Sequence, residues 1–255
     1  MRTVPKLLRI LYAIYALLLF GFFTIPVFIW ALAVLPLGRI KSGNLIYRAC
    51  NLWGDAWFFL LGLRHKNIYE QPLHKGKSYI FVANHISYMD TPTIVKAIRQ
   101  PVRPLGKVEM TKLPLFGFIY KKVIVTVDRS SLANRAKSIQ VLKSILHKGV
   151  SVLVFPEGTF NTTGKPLAHF YDGAFRIAIE TGMPIKPVLF LDTYDRMQPS
   201  SIFTFNPGAN RCVFLEEVPT VHLTLKDVRS LKENVHHIMW EKLVAYKASW
   251  IKETI

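Results

Sequence analysis

Tyr79-Ile80-Phe81-Val82-Ala83-Asn84-His85-Ile86-Ser87-Tyr88-Met89-Asp90-Thr91-Pro92 holds a strand, a turn and a helix start in succession. Residues 79–83 are an unbroken apolar run, the pattern of a short strand covered on both faces. Asp90 before Thr91-Pro92 is an ordinary way to open a helix. Between the two, His85 and Asp90 stand five positions apart at the exit of the strand and can meet across one tight turn. A carboxylate bonded to one imidazole nitrogen fixes the tautomer and leaves the other nitrogen free to take a proton near neutral pH. By itself the segment has two readings: a catalytic His/Asp pair, or an N-capping Asp90 beside a hydrogen-bonded loop histidine.

Outward from this stretch, short apolar runs alternate with amphipathic segments, which predicts an α/β domain. Candidate strands are 79–83, 102–106, 123–127, 151–155, 185–191 and 212–217. A helix opens at Asp128-Arg129-Ser130-Ser131, repeats apolar residues at Leu132, Ala136, Ile139, Leu142 and Leu146, and stops at Gly149. A second covers 171–181 and ends at Gly182. The last begins with Thr224 and Asp227, a capping-box-like pair, and runs to the C-terminus. The expected architecture is a mixed, mostly parallel sheet flanked by helices, preceded by a membrane-embedded helical segment.

That segment is explicit. From Ile10 to Gly38 there are 29 residues without a charged side chain, well beyond the roughly 18 that flag a membrane helix. Arg2, Lys6 and Arg9 on one flank and Arg39 and Lys41 on the other leave the orientation undecided. Pro26 is consistent with a kink in one long helix or with the bend of a re-entrant hairpin. Residues 45–63 mix Trp53, Trp57, Phe58, Phe59 and Leu60 with Arg48 and Asp55, which reads as an interfacial helix or as a helix packed on the domain. The expected division is 1–64, membrane-embedded and interfacial helices, and 65–255, the catalytic domain.

Composition narrows the class. The 255 residues are 51% hydrophobic, with a mean hydropathy of +0.25 and a net charge of +17. A nucleic-acid binder matches the charge but not the apolar content, and no nucleic-acid module accompanies it. A protein lying on an anionic membrane matches both, since each surface lysine or arginine contributes about 1 kcal/mol there. Phosphate-bearing substrates suit the same charge. Cys50 and Cys212 give no disulfide framework. His169, His236 and His237 lack metal-ligand spacing, so no metal is expected. No Gly-x-Ser-x-Gly elbow is present to make Ser87, Ser130 or Ser131 a nucleophile.

Three further blocks sit at predicted strand ends, where α/β folds place chemistry. They are Lys107-Val108-Glu109-Met110 with Leu113-Pro114-Leu115-Phe116-Gly117 and then Asp128-Arg129; Phe155-Pro156-Glu157-Gly158-Thr159; and Pro184-Ile185-Lys186-Pro187. Each alone is a set of turn formers. Together with Asn84-His85 and Asp90, in this order and spacing, they resemble the four blocks of the glycerolipid acyltransferase family, and most of all its bacterial-type 1-acyl-glycerol-3-phosphate acyltransferases. The resemblance covers roughly 79–188.

The resemblance implies that His85 is the general base for a glycerol hydroxyl and Asp90 orients it, the His-x4-Asp motif. Asn84, Lys107, Arg129, Glu157, Gly158 and Thr159 then fall in substrate-binding blocks, and Pro184, Ile185 and Pro187 in a block that shapes the acyl site. No bound cofactor is implied. The co-substrate is an acyl thioester of coenzyme A or acyl carrier protein, and the partners are membrane lipid and a lysophosphatidate-type acceptor. The site should face the cytoplasm, where thioester donors are made; in a bacterium that is the inner membrane. One departure stands out: Phe160 occupies the place where the family carries arginine. Loss of a charge-assisted contact of about 1.5–3 kcal/mol fits a substitute cation (Lys112, Lys165 or Arg176), a non-phosphate acceptor such as a lyso-aminolipid, or a lineage-specific variant with the same substrate, and the last is the reading preferred over a changed acceptor. A non-catalytic anionic-lipid binder is the alternative to an enzyme, and it has no need of the His85/Asp90 pair.

Overall fold

The computed structural model describes residues 6–127 and 132–252, and the side chains of these apart from 127 and 132–137. In chain order the elements are α1 (Lys6–Ala33), α2 (Arg39–Leu60), β1 (Leu63–Tyr69), β2 (Ile80–Ala83), α3 (Asp90–Ala97), β3 (Val102–Lys107), α4 (Phe116–Val123), β4 (Val125–Val127), α5 (Leu132–His147), β5 (Ser151–Val154), α6 (Gly173–Thr181), β6 (Ile185–Phe190), α7 (Thr193–Arg196), β7 (Gly208–Phe214) and α8 (Val228–Ala245).

The strands form one sheet in the order β1-β7-β6-β2-β5-β3-β4. Every neighbouring pair is parallel except β6 with β7, so the sheet is mixed and mostly parallel, as expected. The run 79–83 proves central, and its side chains divide by pleat. Ile80 and Val82 face a core shared with α5, α6 and α8. Tyr79, Phe81 and Ala83 face a second core built with α2, α3, α4 and the C-terminal part of α1. Burial on both faces is what makes an apolar run without alternation stable as a strand.

β1 is absent from the sequence reading. Its residues Arg64, His65, Lys66 and Asn67 carry no apolar pattern, because β1 is an edge strand whose pairing with β7 is decided by backbone register. Val123 belongs to α4, and β4 is correspondingly shorter than the predicted 123–127. The reading of Thr224 and Asp227 is borne out: the Thr224 backbone N–H and hydroxyl both donate to Asp227 Oδ2 at 2.8 Å. The predicted opening of α5 at 128–131 lies outside the described residues.

α1 is continuous through Pro26. The chain reverses instead at Leu35–Leu37 and Gly38, where φ is +79°, a value that favours glycine. α1 and α2 thus form a hairpin, tied by the Trp57 indole N–H donating to the Ala16 carbonyl at 3.0 Å and the Tyr12 hydroxyl to that of Leu61 at 2.5 Å. α2 is the packed helix the sequence allowed. Ile46, Tyr47, Trp57 and Phe58 are buried against the domain, while Leu52 and Phe59 are exposed. α1 is the one described helix long and apolar enough to cross a membrane. Leu8, Leu18, Phe22 and Ile29 lie on its exposed face.

Candidate active site

β2 ends at Ala83, and the next two residues turn out of the sheet. Asn84 is fully buried: its amide donates to the Phe190 carbonyl at 3.1 Å and its side-chain oxygen accepts from the Phe190 N–H at 2.8 Å. It joins the ends of β2 and β6. His85 follows, partly open, with its Nδ1 2.8 Å from Asp90 Oδ2. The same Asp90 oxygen accepts the backbone N–H groups of Ile86 at 2.8 Å and Ser87 at 3.0 Å. Asp90 is fully buried in the first turn of α3 and makes no cap hydrogen bond to that helix. The N-cap alternative therefore does not describe it. A carboxylate held by two backbone donors presents a fixed acceptor to the imidazole. With the proton on Nδ1, Nε2 is the free base.

The turn is anchored from three sides. The Ser87 hydroxyl donates to the Met197 carbonyl at 2.5 Å and accepts from the Met89 N–H at 2.9 Å, so this serine is occupied and buried. Met89 packs with Trp57, Phe205 and Leu61 in a cluster shared with the helical hairpin. The His85 carbonyl accepts from the Asn161 N–H at 2.7 Å. The contribution of 192–207 and of Asn161 had no signal in the sequence, since both contacts are non-local.

Glu157 lies beneath the turn. One carboxylate oxygen accepts the His85 N–H at 2.8 Å and the other accepts the Ala168 N–H at 2.7 Å. Burial pushes its pKa up to about 7, against the two backbone hydrogen bonds, which lower it, and with a small contribution from Asp90 in the same direction as burial. The folded state thus binds this proton more tightly than the unfolded chain, whose carboxyl titrates near 4.5. The contribution of Glu157 to stability is therefore largest below that value and is lost as pH rises to about 7. Each unit of difference is worth about 1.4 kcal/mol. Thermal unfolding of the protein and of Glu157→Gln in neutral detergent checks this. The gap between them should narrow with rising pH across that window only, and a pH-independent gap would contradict it.

Two aromatic rings border the imidazole. Phe155 stacks on it with centroids 4.0 Å apart and planes 14° from parallel, and Phe160 approaches at 4.4 Å and 56°. Tyr88, half-exposed, meets Phe160 edge to face at 4.8 Å. Phe160 is thus in contact with the His85 imidazole.

The family model described as Acyltransferase matches residues 65–191. The chain belongs to the acyltransferase family. It is 27% identical over 196 residues to the 1-acyl-sn-glycerol-3-phosphate acyltransferase of Haemophilus influenzae, covering 76% of this chain and 79% of that protein. To the enzyme of the same name from Escherichia coli it is 30% identical, over 64% of this chain and 66% of the relative. The crystal structure of the 1-acyl-sn-glycerophosphate (LPA) acyltransferase from Thermotoga maritima matches with a TM-score of 0.76 at 25% identity, over 99% of this chain and all of that one.

The other expected site residues of this acyltransferase are distributed unevenly. Glu157 and Gly158 are at the end of β5, beside His85; Gly158 has a φ of +73° and its N–H donates to the Phe155 carbonyl at 3.0 Å, and Thr159 is exposed. Lys107 ends β3, two strands from β2, and is exposed together with Lys112. Arg129 lies outside the described residues. Ile185 and Pro187 are buried in β6, paired with Ile80 and Val82. Pro184 precedes them, half-buried, its carbonyl accepting from the Ile80 N–H. No group of three or more potential metal ligands occurs among the described residues.

Proposed function

We propose that this acyltransferase moves a fatty acyl chain from a thioester to the sn-2 hydroxyl of 1-acyl-glycerol-3-phosphate, giving phosphatidic acid. The single observation that carries the mechanism is the His85–Asp90 contact, with Nε2 left free at the open end of the parallel strands. Nε2 takes the proton of the acceptor hydroxyl as the oxygen attacks the thioester carbonyl. Asp90 holds the Nδ1–H and stabilises the imidazolium that results. The tetrahedral intermediate collapses, the carbon–sulfur bond breaks, and the departing thiolate takes the proton from Nε2. No covalent acyl-enzyme is needed, because a thioester is already activated and the alcohol is the partner that requires a base.

In this reading Glu157 acts through the backbone of His85, and Asn84 holds the ends of two strands in register. Both are positioning residues. Lys107 and Arg129 serve the acceptor phosphate as cations, Gly158 and Thr159 border the acceptor, and the Pro184, Ile185 and Pro187 block bounds the acyl side through the sheet. Residues 1–64 embed in and lie along the membrane, and 65–255 form the catalytic domain. The family match, which begins at residue 65, and the exposed apolar face of α1 support that division. The site opens to the cytoplasm, where coenzyme A or acyl carrier protein supplies the acyl group.

The test is a panel of lysolipid acceptors with and without a phosphate, assayed on purified enzyme with one acyl thioester. The expected result is a kcat/KM for 1-acyl-glycerol-3-phosphate at least tenfold above that for acceptors lacking the phosphate, consistent with one charge-assisted contact. Equal or faster turnover of a lyso-aminolipid would overturn the acceptor assignment and give Phe160 the meaning of a changed substrate.

A further inference from the structure

The turn between α1 and α2 gathers cations, and none of its lining residues belongs to the site around His85. A cleft of about 560 Å³ there is lined by Leu37, Gly38, Arg39, Ile40, Lys41, Asn44, Leu45 and Arg48. Three of these are exposed cations and none is acidic. Among the described residues no carboxylate pairs with any of the three. Two of them, Arg39 and Lys41, stand in the first turn of α2, which contains no acidic residue and has no side-chain cap. A helix N-terminus carries about half a positive charge, so cations there are on the disfavoured end. Such an arrangement is stable when an anion completes it.

A second feature lies directly behind the cleft. Arg103, in β3, is 3% exposed; its Nη1 donates to the Val102 carbonyl at 3.2 Å, and its hydrogen-bond acceptors among the described residues are neutral oxygens. Its Nη2 donates to Asn44 Oδ1 at 2.7 Å and to the Ile40 carbonyl at 3.4 Å, and both acceptors belong to cleft-lining residues. Asn44 gives its oxygen to Arg103 and so keeps its amide N–H groups as donors. Gly43 makes room for this contact: a Cβ on it would stand 2.5 Å from Nη2. Burial holds the Arg103 pKa down to about 10, Tyr47 opposes this, and the Arg39 charge adds to it. A buried guanidinium and an exposed one thus repel each other across a cleft that contains no protein counter-charge.

We propose that this cleft binds the phosphate of a lipid headgroup, with Arg39, Lys41 and Arg48 around the oxygens and the Arg103–Asn44 pair behind them. A lipid is the source the surroundings favour. Leu37 in the cleft and Leu32 and Trp30 on α1 are exposed apolar side chains, placed for acyl chains whose headgroup enters the cleft. The lipid source, though not the phosphate chemistry, rests on the membrane placement of α1. Because the assay reads binding, its result does not depend on which acceptor the enzyme acylates.

The experiment uses the full chain in neutral-detergent micelles, titrated with phosphatidylglycerol and, separately, with inorganic phosphate, and follows thermal unfolding. Three proteins are compared: the parent, Arg39→Gln/Lys41→Gln/Arg48→Gln, and a charge-matched control, Lys66→Gln/Lys75→Gln/Lys148→Gln, whose lysines are exposed elsewhere. The expected result is lipid affinity about a hundredfold weaker in the cleft variant, from three surface cations, with the control unchanged from the parent. Equal losses in the two variants would mean attraction by overall charge and would overturn the site. Inorganic phosphate binding as tightly as the lipid would overturn the lipid source and assign the cleft to free phosphate.

Discussion

His85→Ala is expected to lower kcat for acyl transfer by roughly 10²–10⁴-fold, the range a positioned general base supplies, with little change in the KM of either substrate. The reason for the split is geometric. Nε2 meets the acceptor only at the hydroxyl that loses its proton, so its removal costs little in ground-state binding. The fold should survive, because Asp90 Oδ2 keeps the Ile86 and Ser87 backbone donors and the main sheet contacts do not involve the imidazole. Kinetics on purified enzyme, with a melting curve as control, measure this. A variant that melts normally and still turns over at the parent rate would remove the base from His85 and the mechanism with it.

Asp90 separates two effects, and its two substitutions should differ. All three of its protein donors reach one oxygen, Oδ2, while the buried Oδ1 has no partner among the described residues. Asparagine can place its carbonyl where Oδ2 was and keep all three hydrogen bonds, including the one that fixes the His85 tautomer. It loses the negative charge opposite the imidazolium. Asp90→Asn should therefore keep the turn, lose some melting temperature because its amide falls on the buried, unpartnered Oδ1 position, and lose on the order of 10²–10³ in kcat, within the general-base range. Asp90→Ala leaves two buried backbone N–H groups unsatisfied, at about 1–3 kcal/mol each, and should lower the melting temperature as well as the rate. Parent-like kcat in Asp90→Asn would show that the carboxylate charge takes no part in the reaction.

Much of this was legible in the chain because the signals are local. The strand 79–83, the five-residue separation of His85 and Asp90, the Thr224/Asp227 capping box and the uncharged run 10–38 each lie within a few turns of backbone, where periodicity and spacing dictate geometry. The alternatives left open at Asp90 and at 45–63 were open for a matching reason. An aspartate before Thr-Pro has the same sequence whether its carboxylate caps the helix or reaches back to a histidine. A helix with tryptophans on one side and Phe59 on another has the same pattern whether a sheet or a membrane covers it.

The parts that escaped are contacts between distant segments. Phe160 beside His85, the Met197 carbonyl holding Ser87, Asn84 spent on Phe190, and Arg103 reaching Asn44 each depend on which strands become neighbours. Strand order follows from burying both faces of the sheet at once, which no window of sequence encodes. The chain by itself determined most of the sheet's strands, the apolar helix and the short reach between acid and base, since these arise from dihedral preference and local spacing. Only the folded molecule decided that Glu157 serves the His85 backbone, that the hairpin turns at Gly38 rather than at Pro26, and that four cations gather without a counter-charge, because burial and distance are properties of the whole packed molecule.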